Sequence, residues 1–218
     1  MTSAVQTLPT SLRERNKSKR RLHIINVARS LFTSHGYSTT RLEDVAEDAE
    51  VGVATVYNYF GNKAGLLASI LEVEFAQLFE SGEGAVAAEH TDPLEHVLAL
   101  IDVYYKLENE WQSSEMLLNV LGPGLAVTPE LDAIAVESER QVKSQLKAIL
   151  TKHRAVGNIR KDVDIDDATM VLFYIFNQHY IEFITGQWHS FEKMKQTMNR
   201  LIGFVISSIG TIQENNAH

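Results

Sequence analysis

Residues 40–60 read Thr40-Arg41-Leu42-Glu43-Asp44-Val45-Ala46-Glu47-Asp48-Ala49-Glu50-Val51-Gly52-Val53-Ala54-Thr55-Val56-Tyr57-Asn58-Tyr59-Phe60. Thr40 with Glu43 three residues on has the form of a capping box, so a short helix is expected to open there. It would carry Leu42, Val45, Ala46 and Ala49 inward. Glu50-Val51-Gly52 breaks it, and a second short helix runs from Val53 to about Tyr59. Val56 and Phe60 are four apart and share the inner face, while Val53, Ala54, Tyr57 and Asn58 share the outer one. Thr55 and Tyr59 lie between the two. Two short amphipathic helices on a three-residue turn form the helix-turn-helix arrangement, which presents its second helix to the DNA major groove. By spacing alone the same pattern also fits a buried helical hairpin.

The outer residues suit a groove. Small side chains let the backbone approach the groove floor, and a methyl of Val53 or Ala54 can meet a thymine methyl. The hydroxyls of Thr55, Tyr57 and Tyr59 and the amide of Asn58 can bond phosphate or base edges. Thr40, read as an N-cap, leaves backbone N–H groups as a phosphate seat, with Arg41 beside it. Lys63, at the start of the next helix, offers a second phosphate contact.

Charge is distributed to match. The 218 residues carry a net charge of −8, which taken alone argues against binding a polyanion. Residues 1–65, however, hold nine Lys/Arg against six Asp/Glu, and the remainder of the chain is acidic. Arg13, Arg15, Lys17, Lys19, Arg20, Arg21 and Arg29 face Glu14 alone over 13–29. A basic end and an acidic body suggest that only the former meets nucleic acid; the alternative is a merely solvated arm. The chain has no cysteine, which excludes disulfides, thiolate metal sites and cysteine nucleophiles. No apolar run reaches the roughly 18–20 residues of a membrane helix, and the first residues lack a signal-peptide core. A soluble cytoplasmic protein with no membrane partner is the expectation.

The rest of the chain follows the helical period, giving an all-α fold of about nine helices. Residues 1–16 read as a flexible basic arm, 17–64 as the helix-turn-helix unit and 65–214 as a helical body. Leu22, Ile25, Ala28, Leu31 and Phe32 make one face of a first helix over about 17–35, stopped by Gly36. Asn62 can cap a helix from Lys63 into the low 80s, ending near Ser81-Gly82-Glu83-Gly84. Asp92-Pro93, Thr128-Pro129, Asp164 and Ser190 open further helices, the last fraying near Asn215. A short helix is expected over 113–121.

Two features of the body bear on function. Tyr104, Tyr105, Trp111, Met116, Phe173, Phe176, Asn177, His179, Tyr180, Phe183 and Trp188 could line a mostly apolar cavity with a few polar groups. Aromatics at helical spacing equally describe a plain core. The set leans toward a neutral or aromatic, fairly hydrophobic ligand. The last helix carries Met194, Met198, Leu201, Val205 and Ile209 at bundle-seam spacing. The eight histidines are scattered, and even His90 and His96 share no helical face, so neither metal nor cofactor is expected. An enzyme would need a constellation such as paired Glu-x-x-His or Gly-x-Ser-x-Gly, and neither occurs. A dimeric structural adaptor is the other alternative.

Gly36-Tyr37-Ser38-Thr39-Thr40-Arg41-Leu42-Glu43-Asp44-Val45-Ala46, followed by Thr55-Val56-Tyr57-Asn58-Tyr59-Phe60-Gly61-Asn62-Lys63-Ala64-Gly65-Leu66-Leu67, resembles the TetR family of bacterial transcriptional regulators. The resemblance covers about 45 residues. It departs at Gly52, where the family often has a capping Ser, and at Glu50, where a Gly is common. Glu can serve at that position if the backbone needs no positive φ. The resemblance implies a bacterial, nucleoid-associated repressor that binds a palindromic double-stranded operator as a homodimer. It further implies release by an unidentified small-molecule effector in the body. Thr40, Arg41, Val53, Ala54, Thr55, Tyr57, Tyr59 and Lys63 match the family's DNA-facing positions, and Asn58 joins them from helical geometry. The last two helices, including Met194, Met198, Leu201, Val205 and Ile209, would form a four-helix dimer interface. An activator role stays open.

Overall fold

The computed structural model describes residues 11–110 and 128–211. Among these it is helical: α1 Leu12–His35, α2 Leu42–Asp48, α3 Val53–Phe60, α4 Lys63–Ala87, α5 Pro93–Glu110, α6 Pro129–Ala155, α7 Ile165–Ile184 and α8 Phe191–Ile209. The helix expected over 113–121 lies outside the described residues, as do Trp111 and Met116.

Side-chain caps set most of the starts. Asn62 Oδ1 accepts from Gly65 N at 2.8 Å, and Asp92 Oδ1 accepts from Leu94 N at 2.8 Å. Asp164 Oδ1 accepts from the amides of Asp166 and Asp167 at 2.8 and 3.1 Å. Ser190 Oγ accepts from Lys193 N at 3.3 Å. Each such cap is worth about 1 kcal/mol.

Three boundaries differ from the sequence reading. α1 opens at Leu12 rather than Lys17, because Ser11 and Glu14 form a reciprocal capping box. α4 continues through Ser81-Gly82-Glu83-Gly84 to Ala87 instead of ending there. Gly82 serves close approach, not termination: a Cβ at this position would lie 2.2 Å from Gln145 Oε1. α8 stops at Ile209, short of Asn215, because the chain there turns into an isolated antiparallel bridge. Arg160 N donates to Ile209 O at 3.0 Å, and Thr211 N donates to Asn158 O at 3.1 Å.

The chain divides into two compact units, Met1–Leu71 and Glu72–His218, and α4 runs through the division. In the first unit Ile24, Ala28 and Phe32 of α1, Val45 of α2, Val56 of α3 and Leu66, Leu67 and Ile70 of α4 are at most 1% exposed. Burying each large aliphatic or aromatic side chain there contributes about 1.5–3 kcal/mol. In the second unit α6 packs on α7, α7 on α8, and α5 on both α6 and α8. Lys195 of α8 pairs with Asp102 of α5 at 2.7 Å. No helix among the described residues is long and apolar enough to cross a membrane.

Candidate nucleic-acid interface and effector core

The turn between α2 and α3 is a Schellman motif. Val51 N donates to Ala46 O at 2.9 Å, and Glu50 N donates to Glu47 O at 3.0 Å. The motif needs a left-handed residue, and Glu50 supplies it at φ 53°. The condition on which glutamate would sit there without strain is therefore not met. A non-glycine residue in this region costs roughly 1–2 kcal/mol. The turn nevertheless fixes where α3 leaves α2.

α3 is held by its inner face alone. Val56 and Phe60 are buried, whereas Val53, Ala54, Tyr57 and Asn58 are exposed, Tyr57 at 46%. Thr55 and Tyr59 are half-buried, and the Tyr59 hydroxyl donates to Lys17 O at 3.4 Å. Gly52 caps α3 with no side-chain bond, and its carbonyl accepts from Thr55 N at 2.8 Å. The junction to α4 is tight. A Cβ on Gly65 would sit 2.1 Å from the carbonyl oxygen of Phe60, so only glycine lets α4 start this close to α3.

Two of the residues expected at DNA have other work. Thr40 does not cap α2; the N-cap is Arg41, whose amide donates to Asp44 Oδ2 at 2.8 Å. Thr40 is 4% exposed, and its hydroxyl donates to Gly36 O at 2.8 Å. It closes the turn after α1, which shifts the helix start by one residue and leaves Glu43 to pair with Arg41 at 3.4 Å. Lys63 is half-buried; its ammonium donates to Ser38 O at 3.1 Å and lies 4.6 Å from the Tyr37 ring centre. Tyr37 in turn meets Phe32 edge-on at 5.1 Å. Lys63 thus pins the α1–α2 turn to the start of α4 by a hydrogen bond and a cation–π contact. Arg41 remains exposed beside the first turn of α2. On α1, Arg13, Arg15, Lys17, Lys19 and Arg20 form an exposed basic stretch.

In the body, Tyr104, Tyr105, Phe176 and Tyr180 come together as a buried aromatic core. Phe176 lies 6.0 Å from Tyr104, 5.7 Å from Tyr105 and 6.0 Å from Tyr180. Neighbours on α5, the two tyrosines diverge. Tyr105 donates to Met198 Sδ at 2.9 Å and meets Phe191 edge-on at 5.1 Å. Tyr104 donates to Gln145 Oε1 at 2.5 Å, and Gln145 Nε2 donates to Phe79 O at 2.9 Å. Burial pushes the Tyr104 hydroxyl well above its ordinary pKa, with Glu83 adding to the effect. It is therefore a neutral donor.

The remaining expected pocket residues sit apart from this core. Phe183 reaches it through Phe191, 5.4 Å away. Phe173 is buried under the Lys143 ammonium at 4.7 Å. Asn177 is half-buried on α7. His179 lies on a flank, bonded to Ile175 O and stacked on Trp188, which donates to Glu182. Hydrogen bonds from Gln178 at 3.0 Å and then from Trp188 at 2.9 Å hold the Glu182 carboxyl below the usual carboxylate range. Sequence reasoning missed Gln145, Phe191 and Phe79. Gln145 carried a signal, since it interrupts the apolar stripe of Val142, Leu146 and Ile149.

Residues expected at a dimer seam divide into two groups. Met194 and Met198 are 0% exposed and take the Tyr105 hydroxyl, so they belong to the protomer's own core. Leu201 is exposed, and Val205 and Ile209 are half-buried. The inner stripe of α8 is Met194, Met198, Ile202 and Ile206, at a spacing of four. Beside it, turned outward, stands Phe204 at 75% exposure. Met170, Val171 and Tyr174 are the exposed large apolar residues of α7. Among the described residues no group of three metal-ligating side chains is placed to hold an ion.

The sequence model of bacterial regulatory proteins of the tetR family matches residues 24–70, which span α1 from Ile24, the two short helices and the start of α4. The transcriptional repressor NicS of Pseudomonas putida is 27% identical over 183 residues, 80% of this chain and 84% of that protein. Among solved structures, a TetR transcription regulator from Haloarcula marismortui superposes with a TM-score of 0.72 at 19% identity, over 89% of this chain and 100% of that one. FadR of Bacillus subtilis, solved in complex with stearoyl-CoA, superposes with a TM-score of 0.67 at 20% identity, over 86% of this chain and 98% of that one. The motif run around α2 and α3, the turn geometry and these likenesses agree: residues 24–70 form a DNA-binding region of the tetR family of bacterial regulatory proteins, and the rest of the chain shares the fold of such regulators.

Proposed function

We propose that this protein is a transcriptional repressor that binds a palindromic operator as a homodimer and is released by a small apolar effector. The observation that carries the reading is α3. Its inner face is anchored by Val56 and Phe60, and its outer face presents Val53, Ala54, Tyr57 and Asn58, all exposed among the described residues. A rigidly held helix with a bare, small-then-polar face is what major-groove readout requires. Arg41 and the basic stretch of α1 would supply phosphate contacts, which position the reader without reading sequence.

The second copy is placed on α7 and α8. Val171 and Tyr174 of α7 and Leu201 and Phe204 of α8 are between 37% and 75% exposed on two helices that pack together, and exposed large apolar groups are what an interaction surface would use. A two-fold axis there would pair each patch with itself and set two α3 helices for two half-sites. The effector is placed among Tyr104, Tyr105, Phe176 and Tyr180. FadR of Bacillus subtilis, a structural neighbour, is solved in complex with stearoyl-CoA, whose acyl chain is long and apolar, and this supports an effector with an apolar part. α4 is one helix from Lys63 to Ala87 and so connects the two units covalently. An effector would act only through its difference in affinity for the operator-bound and free states. The protein would act in the cytoplasm, as a binder and not as an enzyme.

The test is selection of DNA from a random library by the purified protein, followed by Tyr57→Ala. An enriched palindrome that the variant binds about five- to 150-fold more weakly supports the reading, the range expected for loss of about 1–3 kcal/mol of groove contact. Undiminished binding by the variant would remove α3 from the interface.

A further inference from the structure

Three histidines that the sequence scatters are brought together in the second unit. His90 stacks on His96 at 4.7 Å, and His96 meets His153 edge-on at 5.2 Å. His96 is 0% and His153 1% exposed. His96 Nδ1 is 3.0 Å from His153 Nε2, His96 Nε2 is 3.1 Å from Ala85 O, and His153 Nδ1 is 3.0 Å from Asn158 Nδ2. The Asn158 amide nitrogen also donates to Thr91 O at 2.8 Å.

The two ends of this chain of contacts fix its protons. Ala85 O can only accept, so His96 Nε2 carries a proton. Asn158 Nδ2, identified as nitrogen by its bond to a carbonyl, can only donate, so His153 Nδ1 is bare. The central bond then has one solution: His153 Nε2–H donates to His96 Nδ1. Both rings are neutral Nε2–H tautomers, and every ring nitrogen is used. A further proton on His153 Nδ1 would face the Asn158 N–H. One on His96 Nδ1 would face the His153 N–H.

We infer that Asn158, His153 and His96 form a one-way hydrogen-bond relay that locks α4, α5, α6 and the loop after α6 together only while both imidazoles are neutral, so that mild acid opens this junction. The charged surroundings act in the same direction on balance. Burial is the leading influence lowering both histidines, and His90 and Lys152 disfavour further positive charge. Lys152 is itself fixed to Ala88 O at 2.9 Å. Asp92 alone among the charged neighbours favours a proton on His153, and it is outweighed. Since both folded pKa values lie below the unfolded value near 6.5, the unfolded chain binds protons that the folded one refuses. Stability is then fully present above about pH 6.5 and lost as pH falls through it. Each histidine that stays neutral when folded lowers the folding constant about eightfold between pH 7 and 5.5, or about 70-fold for the pair.

The test is nitrogen-15 NMR of the imidazoles on the full chain between pH 7.5 and 5, with denaturant unfolding at the same pH values. Expected are two Nε2–H tautomers with midpoints below 6.5 and a folding constant that drops steeply with acid. Asn158→Asp replaces the donor facing His153 with an acceptor that welcomes imidazolium. It should raise the His153 midpoint and cut the acid-induced loss by about eightfold, the share of one histidine. A Nδ1–H tautomer on either ring, an ordinary midpoint for both, or an unchanged pH profile in Asn158→Asp would overturn the relay. If that variant does not fold, the tautomers of the unmodified protein decide.

Discussion

Phe204→Ala separates the proposed dimer face from the protomer core. A phenylalanine presents roughly 150–250 Å² to its surroundings, and three quarters of this one is exposed. About 110–190 Å² per copy is therefore available to a partner, worth about 3–5 kcal/mol at 25 cal/mol per Å² if wholly covered. Alanine retains part of that area and interfaces cover side chains unevenly, so about 2–3 kcal/mol per copy is the working figure. An isologous interface loses it twice, about 4–6 kcal/mol, which raises the dimer dissociation constant about 10³- to 10⁴-fold. Sedimentation velocity from nanomolar to micromolar protein measures this, with circular dichroism confirming helix content. Because Phe204 contributes little to the protomer's own packing, the variant should dissociate without losing its helices. An unchanged dimer constant with intact helicity would refute the placement of the second copy on α7 and α8.

Met198→Ala, from the same helix, should behave oppositely: its buried side chain lies in the protomer core, so denaturant unfolding should show a loss of about 2–5 kcal/mol. Gly82→Ala gains about 1 kcal/mol of helix propensity but displaces Gln145 from Tyr104 and Phe79 O. With two buried groups unpaired at about 1–3 kcal/mol each, it should destabilise by about 1–5 kcal/mol net, seen as a lower urea midpoint. Glu50→Gly relieves the left-handed strain in the α2–α3 turn, less the backbone entropy of glycine, and should stabilise by about 0.5–1 kcal/mol in the same assay.

How much was legible depended on what each residue answers to. The face assignment of α3 needs only a period of 3.6 and one buried partner at each end, so Val56 and Phe60 could be placed from spacing. Caps such as Asn62, Asp92, Asp164 and Ser190 are local, and the chain itself carries them. Ser11-x-x-Glu14 is equally local, but it lies at the edge of a basic stretch that reads as a tail. Thr40 misled because two local bonds competed for one hydroxyl, and the carbonyl of Gly36 took it. Lys63, Gly65 and Gly82 depend on tertiary neighbours that no periodicity reveals. Met194 and Met198 are buried in the protomer's own core, and apolar spacing alone cannot tell such a core from a surface that a partner covers. His153 is 57 residues from His96, and only the fold joins them.

The central claim is sequence-specific DNA reading by α3, and the most direct measurement is a salt titration of binding to library-selected DNA by the unmodified protein and Tyr57→Ala. The account predicts a palindrome bound with an affinity that falls steeply as salt rises, and weaker binding by the variant at every salt concentration with a similar slope. No enriched sequence, or a variant that binds the selected site as tightly as the unmodified protein, would contradict it.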